Sequence, residues 1–161
     1  MPAVKIEGGD PRTCAVVEAL VTAGIPVMGH VGLTPQSVHA LGGYRVQGRE
    51  AEQAERIKRE ARALEEAGAF AVVLELLPAP LSHEITNSLT IPTIGIGAGP
   101  GCDGQVLVLY DALGLNPAFR PRFLKRYAEL HQAAREGVER YLREVREGAY
   151  PDAEHSFSVK E

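Results

Sequence analysis

Residues 3–11 read AVKIEGGDP, a short strand pattern that ends in two glycines and an Asp-Pro pair. Asp10 is a favourable helix N-cap and Pro11 suits the first position of a helix, so a helix should follow this strand directly. Four more short apolar runs occur along the chain, at residues 26–31, 70–76, 93–96 and 106–110. Turns and segments of helical period separate the five runs, which is typical of repeated strand–helix units.

Helical period marks two longer segments of the chain. Apolar residues recur every three or four positions in residues 51–67 and again from residue 122 to residue 148, and a shorter helix is predicted near residues 81–89. No linker, repeat of fixed length or low-complexity segment divides the sequence. The sequence therefore predicts one domain over residues 1–161, with carboxyl-terminal helices from about residue 120.

Alternating strands and helices fit two α/β architectures, an open doubly wound sheet and a (β/α)8 barrel. Polar groups at the carboxyl ends of several runs favour the barrel, because a doubly wound sheet gathers its site at one switch point. A whole barrel needs roughly 200 residues or more, so this chain has room for about five of the eight strands. The predicted fold is thus a TIM (β/α)8 barrel that begins in its middle, with only about the last five strand–helix units present.

Composition and charge exclude several classes of protein. The net charge is −4, and no run of lysine and arginine lies beside aromatic residues, so no nucleic-acid partner is predicted. No apolar stretch approaches the roughly 20 residues of a membrane span, and no signal peptide is recognisable. Cys14 and Cys102 have neither disulfide nor zinc spacing. We expect a cytoplasmic protein with neither a membrane nor a nucleic acid as partner.

Charged residues alternate with apolar ones in the first strand. Successive side chains of a strand point to opposite faces, so Lys5 and Glu7 share one face while Val4 and Ile6 share the other. In a barrel the apolar face packs against the outer helices and the charged face points inward. A buried ammonium and a buried carboxylate there need each other, a metal or a substrate. The alternative is that Lys5 and Glu7 form only a solvated pair on an edge strand.

Glu75 lies at the carboxyl end of an otherwise apolar predicted strand, residues 70–76. Such a lone carboxylate would lose part of its hydration, which suits it to proton transfer. The alternative is a structural role, in which Glu75 accepts a hydrogen bond from a nearby backbone amide or pairs with an arginine. From the residues alone the two interpretations are equally open.

Residues 95–104 form a glycine-rich stretch that contains a formal G-x-G-x-x-G match. A dinucleotide site requires this motif to open a helix, whereas residues 105–110 are predicted to form another strand, so the match is weak. We expect a tight turn in which Gly97 and Gly99 let a ligand or another backbone segment approach closely. His30, at the end of the second predicted strand, would either line the same pocket or hydrogen-bond its own loop.

Ordered blocks of sequence resemble the ketopantoate hydroxymethyltransferase family across essentially the whole chain. These blocks are VKIEGG at residues 4–9, GHVGLTPQS at 29–37, GGYRVQGR at 42–49, LE at 74–75, IGIGAG at 94–99, DGQ at 103–105, YP at 150–151 and EHSF at 154–157. The order and number of the blocks make coincidence implausible. The chain is similar to the carboxyl-terminal part of such an enzyme.

The resemblance implies a (β/α)8 barrel of the phosphoenolpyruvate/pyruvate type. Family members bind Mg2+ and transfer a hydroxymethyl group from 5,10-methylenetetrahydrofolate to 3-methyl-2-oxobutanoate, giving ketopantoate for pantothenate and coenzyme A biosynthesis. By the motif match, Glu7 would be a metal ligand, Lys5 a contact of the 2-oxo acid and Glu75 the general base. A hard cation would polarise the chelated carbonyl, which makes the neighbouring proton acidic.

The resemblance also implies what this chain lacks. The first three strands of the family, with two metal-binding aspartates and a substrate-contacting serine, have no counterpart here. We therefore expect the isolated chain to be inactive or to need a chain that supplies those strands, and we expect a homo-oligomer because open sheet edges favour association. The alternatives are an inactive fragment or interaction subunit, a related 2-oxo-acid aldolase or lyase, and, more remotely, a nucleotide-binding module.

Overall fold

The computed structural model describes residues 2–37 and 45–158. The chain divides into two compact units, Met1–Val106 and Leu107–Glu161, and each is considered by itself. The GGYRVQGR block at residues 42–49 lies partly outside the described residues. The prediction of one domain over residues 1–161 stays a prediction.

Over residues 2–37 and 45–106, the first unit forms a parallel five-stranded sheet with three helices. Its strands follow the chain in the order β1-β2-β3-β4-β5, each pairing in parallel with the next. The elements are β1 (Val4–Glu7), α1 (Pro11–Thr22), β2 (Val27–Gly32), a 3-10 turn (Pro35–Ser37), α2 (Ala51–Glu66), β3 (Ala71–Glu75), α3 (Ala79–Ser88), β4 (Thr93–Ile96) and β5 (Gly104–Gln105). The predicted α/β class is confirmed, and the strand order has no reversal of the kind that marks a doubly wound sheet.

One face of this sheet carries the core. Val27 and Val31 of β2 and Val72 and Leu74 of β3 are fully or almost fully buried and belong to one hydrophobic cluster. All three helices contribute to the same cluster, through Val17, Ile57, Ala61, Leu64, Leu81 and Ile85. The helices therefore lie on the same side of the sheet, which agrees with successive right-handed crossovers between neighbouring parallel strands.

The first strand–helix junction forms as its sequence predicts. Asp10 caps α1 by accepting hydrogen bonds from the backbone amides of Arg12 at 2.9 Å and Thr13 at 3.4 Å. The Thr13 hydroxyl donates a further bond to the second carboxylate oxygen at 2.6 Å. These bonds, the Thr13 hydroxyl first, lower the pKa of Asp10, and Pro11 takes the first helical position.

In its described part, residues 107–158, the second unit contains two helices, α4 (Leu109–Ala112) and α5 (His131–Glu147). Neither helix has a buried residue. Gly148, in the left-handed conformation with φ 71°, ends α5. In residues 2–37 and 45–158, no helix combines the length and the apolar character that crossing a membrane requires.

The fifth predicted strand, residues 106–110, is wrong. The strand covers only Gly104–Gln105, and the run continues into α4, for which Val108 is the N-cap. The reason is the short partner strand, because β4 ends at Ile96 and Gly97 then turns away with φ 63°. Among the described residues, the pairing of β4 with β5 does not extend beyond the bond from the Val106 amide to the Gly95 carbonyl. An apolar run does not form a strand when no neighbouring strand is there to pair with it.

The helix predicted from residue 122 is also partly wrong, because α5 begins only at His131. The Tyr127 amide donates to the Ala112 carbonyl at 2.8 Å, and the Leu130 amide donates to the Leu113 carbonyl at 3.0 Å. Arg126 adds bonds from its guanidinium to three backbone carbonyls, those of Asn116, Pro117 and Phe119. These contacts with the preceding segment replace the helical bonds that the apolar period predicts.

Candidate active site

Four polar side chains meet at the carboxyl ends of β1, β2 and β3. The register pairs Glu7 with His30, and Gly32 with Glu75. Neighbours in register on a parallel sheet point to the same face, and so do residues two apart on one strand. Lys5, Glu7, His30 and Glu75 therefore share the face opposite the hydrophobic core. We call these four residues the polar cluster.

His30 lies at the centre of the polar cluster. Its Nδ1 is 3.2 Å from Lys5 Nζ and 3.9 Å from Glu7 Oε1, and its Nε2 is 3.2 Å from Glu75 Oε2. Lys5 Nζ is also 3.8 Å from Glu7 Oε1. The predicted residues Lys5, Glu7 and Glu75 thus converge, and the imidazole of His30 connects them.

The members of the polar cluster differ in exposure. The His30 side chain is 1% exposed, Glu7 and Glu75 are each 17% exposed, and Lys5 is 47% exposed. Although His30 Nε2 lies close to Glu75, it is not aligned for a hydrogen bond with any described group. A buried polar atom without an aligned partner is uncommon in folded proteins and calls for an explanation.

Glu7 is also tied to the segment after β2. Its Oε2 accepts a hydrogen bond from the Gln36 amide, in the 3-10 turn, at 3.1 Å. The Gly8 amide donates to the His30 carbonyl at 2.9 Å, which continues the pairing of β1 with β2 past Glu7. The Glu7 side chain is therefore held on this face by contacts with the segment after β2 and with Lys5.

The backbone that carries Glu75 is held on both sides. The Glu75 carbonyl accepts from the Leu33 amide at 2.9 Å, and the Leu76 amide donates to the Ile96 carbonyl at 2.9 Å. Gly32 makes the first contact possible, since a Cβ at this position would lie 2.2 Å from the Glu75 oxygen. Leu76 has φ 49°, the left-handed region that a leucine rarely adopts. Such a conformation persists only where neighbouring contacts impose it, often next to a functional group.

Comparison with known proteins adds an independent line of evidence. Residues 1–153 match the sequence profile of a family described as ketopantoate hydroxymethyltransferase. The chain belongs to this family.

Three curated relatives, each named 3-methyl-2-oxobutanoate hydroxymethyltransferase, are similar over almost the whole chain. The protein of Syntrophotalea carbinolica is 57% identical over 97% of the chain and 58% of its own length. The protein of Nitratidesulfovibrio vulgaris is 60% identical over 98% of the chain and 51% of its own length. For a Thermoanaerobacter species the identity is 52%, over 98% of the chain and 57% of the relative. The chain thus spans about half the length of these relatives, whose names are those of transferase enzymes.

The family resemblance assigned roles to Lys5, Glu7 and Glu75, and these three residues lie together. Their roles as substrate contact, metal ligand and base stay predictions. His30 was expected either to line the pocket or to bond its own loop. Its ring nitrogens face Lys5 and Glu75 instead of loop atoms.

Gly97 and Gly99 lie in the turn after β4, with φ 63° and 77°. The close approach at Gly99 is to the protein itself, because a Cβ there would lie 2.4 Å from the Cβ of Ala79 at the start of α3. Asp103 fixes the far end of this turn by accepting bonds from the Thr93 amide at 2.8 Å and the Thr93 hydroxyl at 3.1 Å. The turn leads into β5 and not into a helix, which argues against a dinucleotide site.

The described residues do not by themselves fit the Mg2+ ion that the family implies. Within residues 2–37 and 45–158, no three or more histidine, cysteine or acidic side chains are grouped so that they could hold a metal ion. Glu7 offers one carboxylate, and Lys5 already lies beside it. Because Mg2+ prefers several oxygen ligands in octahedral geometry, other ligands would be required.

No sequence pattern marks the left-handed backbone at Leu76. Glycine and asparagine are the residues that usually mark this conformation, and leucine is not among them. The central position of His30 could have been found from the register, since placing Glu7 opposite His30 puts both side chains on one face.

Proposed function

We propose that this chain carries the 2-oxo-acid-binding and proton-abstracting part of a hydroxymethyltransferase that converts 3-methyl-2-oxobutanoate to ketopantoate. The observation that carries the proposal is the convergence of Lys5, Glu7 and Glu75 around His30 at the carboxyl ends of three parallel strands. The carboxyl ends of parallel strands are where enzymes of this architecture place their sites. Family membership supports the choice of reaction.

In this proposal, Glu75 removes the proton from C3 of the bound 2-oxo acid. The electron pair of the C3–H bond forms the C2–C3 double bond, and the carbonyl electrons move to the oxygen, giving an enolate. The ammonium of Lys5 binds the substrate carboxylate and reduces the repulsion from the new negative charge. C3 of the enolate then forms a carbon–carbon bond to the methylene carbon of the donor, for which we propose methylenetetrahydrofolate. The two carbon–nitrogen bonds of that carbon break with their electron pairs going to the folate nitrogens, and a water molecule supplies the new hydroxyl group. The nitrogens take up the proton held by Glu75 and one proton of the water, so that ketopantoate and tetrahydrofolate are the products.

Glu7 is the one residue of this chain that we propose as a magnesium ligand. Mg2+ would supply polarisation of the substrate carbonyl, with Glu7 as one of its ligands and the others from the part of the enzyme that this chain does not include. We also propose that the five-stranded sheet forms part of a (β/α)8 barrel of the phosphoenolpyruvate/pyruvate type, and that the complete enzyme is a cytoplasmic homo-oligomer. The unreversed strand order and the helices on one face support the barrel.

The test is complementation. The chain is co-expressed with the part of the Syntrophotalea carbinolica relative that lies outside its matched 58%. Ketopantoate formation is measured with Mg2+, methylenetetrahydrofolate and 3-methyl-2-oxobutanoate. We expect activity from the pair and none from either part alone. The substitution Glu75→Gln should lower kcat of the pair by about 10²- to 10⁴-fold, the range typical of a lost general base.

The matched control is Glu55→Gln, which removes the charge of an α2 carboxylate that is 59% exposed and pairs with Lys58. This variant should keep the activity of the pair. Failure of the pair to form ketopantoate although both parts associate would contradict the proposed function. Near-normal activity of Glu75→Gln would contradict the assignment of the base.

A further inference from the structure

The imidazole of His30 is the one member of the polar cluster to which the proposed reaction gives no role. It is also the most buried, and one of its nitrogens has no aligned partner among the described residues. We propose that His30 is a positioning residue, held by Lys5 in the tautomer that directs Nε2–H at the carboxylate of Glu75. This assignment rests on the proposed function only for the role of Glu75 as base.

The contact at Nδ1 decides the tautomer. A lysine ammonium has three donor hydrogens and no acceptor, so a hydrogen bond at 3.2 Å between Lys5 Nζ and His30 Nδ1 requires Nδ1 to accept. In a neutral imidazole the proton must then be on Nε2. Lys5 therefore selects the tautomer that carries its hydrogen on Nε2.

The contact at Nε2 agrees with this choice. Glu75 Oε2 lies 3.2 Å away, and an ionised carboxylate can only accept. The last torsion of a glutamate side chain is soft, so a small rotation of the carboxylate aligns it with the Nε2–H direction. The opposite tautomer would set the lone pair of Nε2 against the negative charge of Glu75. Both neighbours thus favour the same proton position.

The arrangement gives His30 a function that its burial alone would not. His30 has Glu7 and Val73 as its register partners in the sheet, and its side chain is much more buried than that of Lys5. It orients one oxygen of Glu75 and leaves the other oxygen free to take a proton. Lys5 acts on Glu75 through the ring, so that binding of an anion by Lys5 is communicated to the base.

The first test measures the tautomer directly. Long-range ¹H–¹⁵N correlation spectra of the histidine-labelled chain at neutral pH should show His30 with an unprotonated Nδ1 and a protonated Nε2. The substitution Lys5→Met should abolish this single-tautomer signature, whereas the control Lys58→Met, which removes a lysine of α2 that pairs with Glu55 and Glu84, should leave it unchanged. A protonated Nδ1 in the wild-type chain, or no change in Lys5→Met, would overturn the inference.

The second test separates the two ring nitrogens in the complemented enzyme. An asparagine at position 30 places its amide near the position of Nδ1, and a glutamine reaches the position of Nε2. His30→Asn should lower kcat by about 10- to 100-fold with little change in KM, the size of effect seen when an orienting partner is lost. His30→Gln should keep most of kcat and raise KM, because Lys5 then loses its acceptor.

Equal losses in both variants, with kcat and KM changed together, would mean a packing role and would overturn the inference. The spectra keep the two proposals distinguishable. A single Nε2–H tautomer in a chain that never complements would leave the placement of His30 intact and remove the proposed reaction. Activity together with a mixed tautomer would support the proposed reaction and overturn the placement of His30.

Discussion

The two units differ in whether they have an interior. In Met1–Val106, a hydrophobic cluster joins one face of the sheet to three helices. Among residues 107–158, no hydrophobic side chain is buried, and α5 exposes Val138, Tyr141, Leu142 and Val145. Both units contain long amphipathic helices, so amphipathic sequence alone does not produce a core. The difference is that the helices of the first unit are attached to strands that they can cover.

Their helices are accordingly stabilised in different ways. α2 buries Ile57, Ala61 and Leu64 against the sheet. α5 instead relies on exposed pairs one turn apart, such as Arg140 with Glu144 at 2.7 Å and Arg135 with Glu139 at 3.5 Å. Such exposed pairs contribute little to stability, because solvent screens them. Substitutions should therefore be much more costly in the first unit than in the second.

The largest contrast is expected from removing a leucine side chain. Leu64→Ala deletes a fully buried side chain of α2 and should lower the free energy of unfolding by about 2–5 kcal/mol. Leu142→Ala, on α5, removes a side chain that is 44% exposed and should change it by no more than about 0.5 kcal/mol. Urea denaturation followed by circular dichroism measures both. Similar losses for the two variants would show that α5 is packed as tightly as α2.

A smaller contrast, with opposite signs, is expected from adding one methyl group. A Cβ at Gly29 in β2 would lie 2.7 Å from Leu64 Cδ1, so Gly29→Ala should destabilise the first unit by about 1–3 kcal/mol. A Cβ at Gly137 in α5 meets nothing within 4 Å, and Gly137→Ala should stabilise that helix by up to about 1 kcal/mol. Thermal denaturation of the two variants checks this difference. Stabilisation by Gly29→Ala would mean that α2 is not held closely against the sheet.

The same difference explains which elements could be predicted from sequence. Strands β1 to β4 and helices α1 and α2 lie within a residue or two of their predicted positions, because local period, capping residues and burial favour the same element. The predictions for residues 106–110 and 122–130 failed where a partner decides the conformation. Residues 106–110 have no strand to pair with, because β4 ends at Ile96. Residues 122–130 instead donate backbone hydrogen bonds to the carbonyls of Ala112 and Leu113.

The candidate site divides in a similar way. Alternation in β1 predicted that Lys5 and Glu7 share a face, and the family resemblance added Glu75. The link through His30 depends on the register between strands, which is a property of the sheet and not of any one segment. The left-handed backbone at Leu76 depends on bonds made to Gln47 and Ile96, residues distant in sequence. Local patterns therefore found the charged residues but not what holds them.

The smallest expected difference lies within α2, between two carboxylates, Glu60 and Glu65, whose surroundings shift their pKa values in opposite directions. Burial raises the pKa of Glu60, so its stabilising contribution is complete below about pH 4.5 and is lost as the pH rises through the folded-state value. At pH 7 the ionised group is therefore a cost, and Glu60→Gln should raise the free energy of unfolding by less than about 1 kcal/mol. Bonds from the hydroxyl and amide of Thr90 lower the pKa of Glu65.

The contribution of Glu65 is present above about pH 4.5 and is lost as the pH falls through its lowered folded-state value. Glu65→Gln should thus destabilise the chain at pH 7, again by less than about 1 kcal/mol because solvent screens this partly exposed group. Urea denaturation at pH 7 and at successively lower pH values should show the two variants displaced to opposite sides of the wild type, converging as the carboxylates become protonated. Stability changes of the same sign in both variants would mean that the surroundings of Glu60 are not buried. The contrast between α2 and α5 would then be confined to the buried apolar residues of α2, Ile57, Ala61 and Leu64.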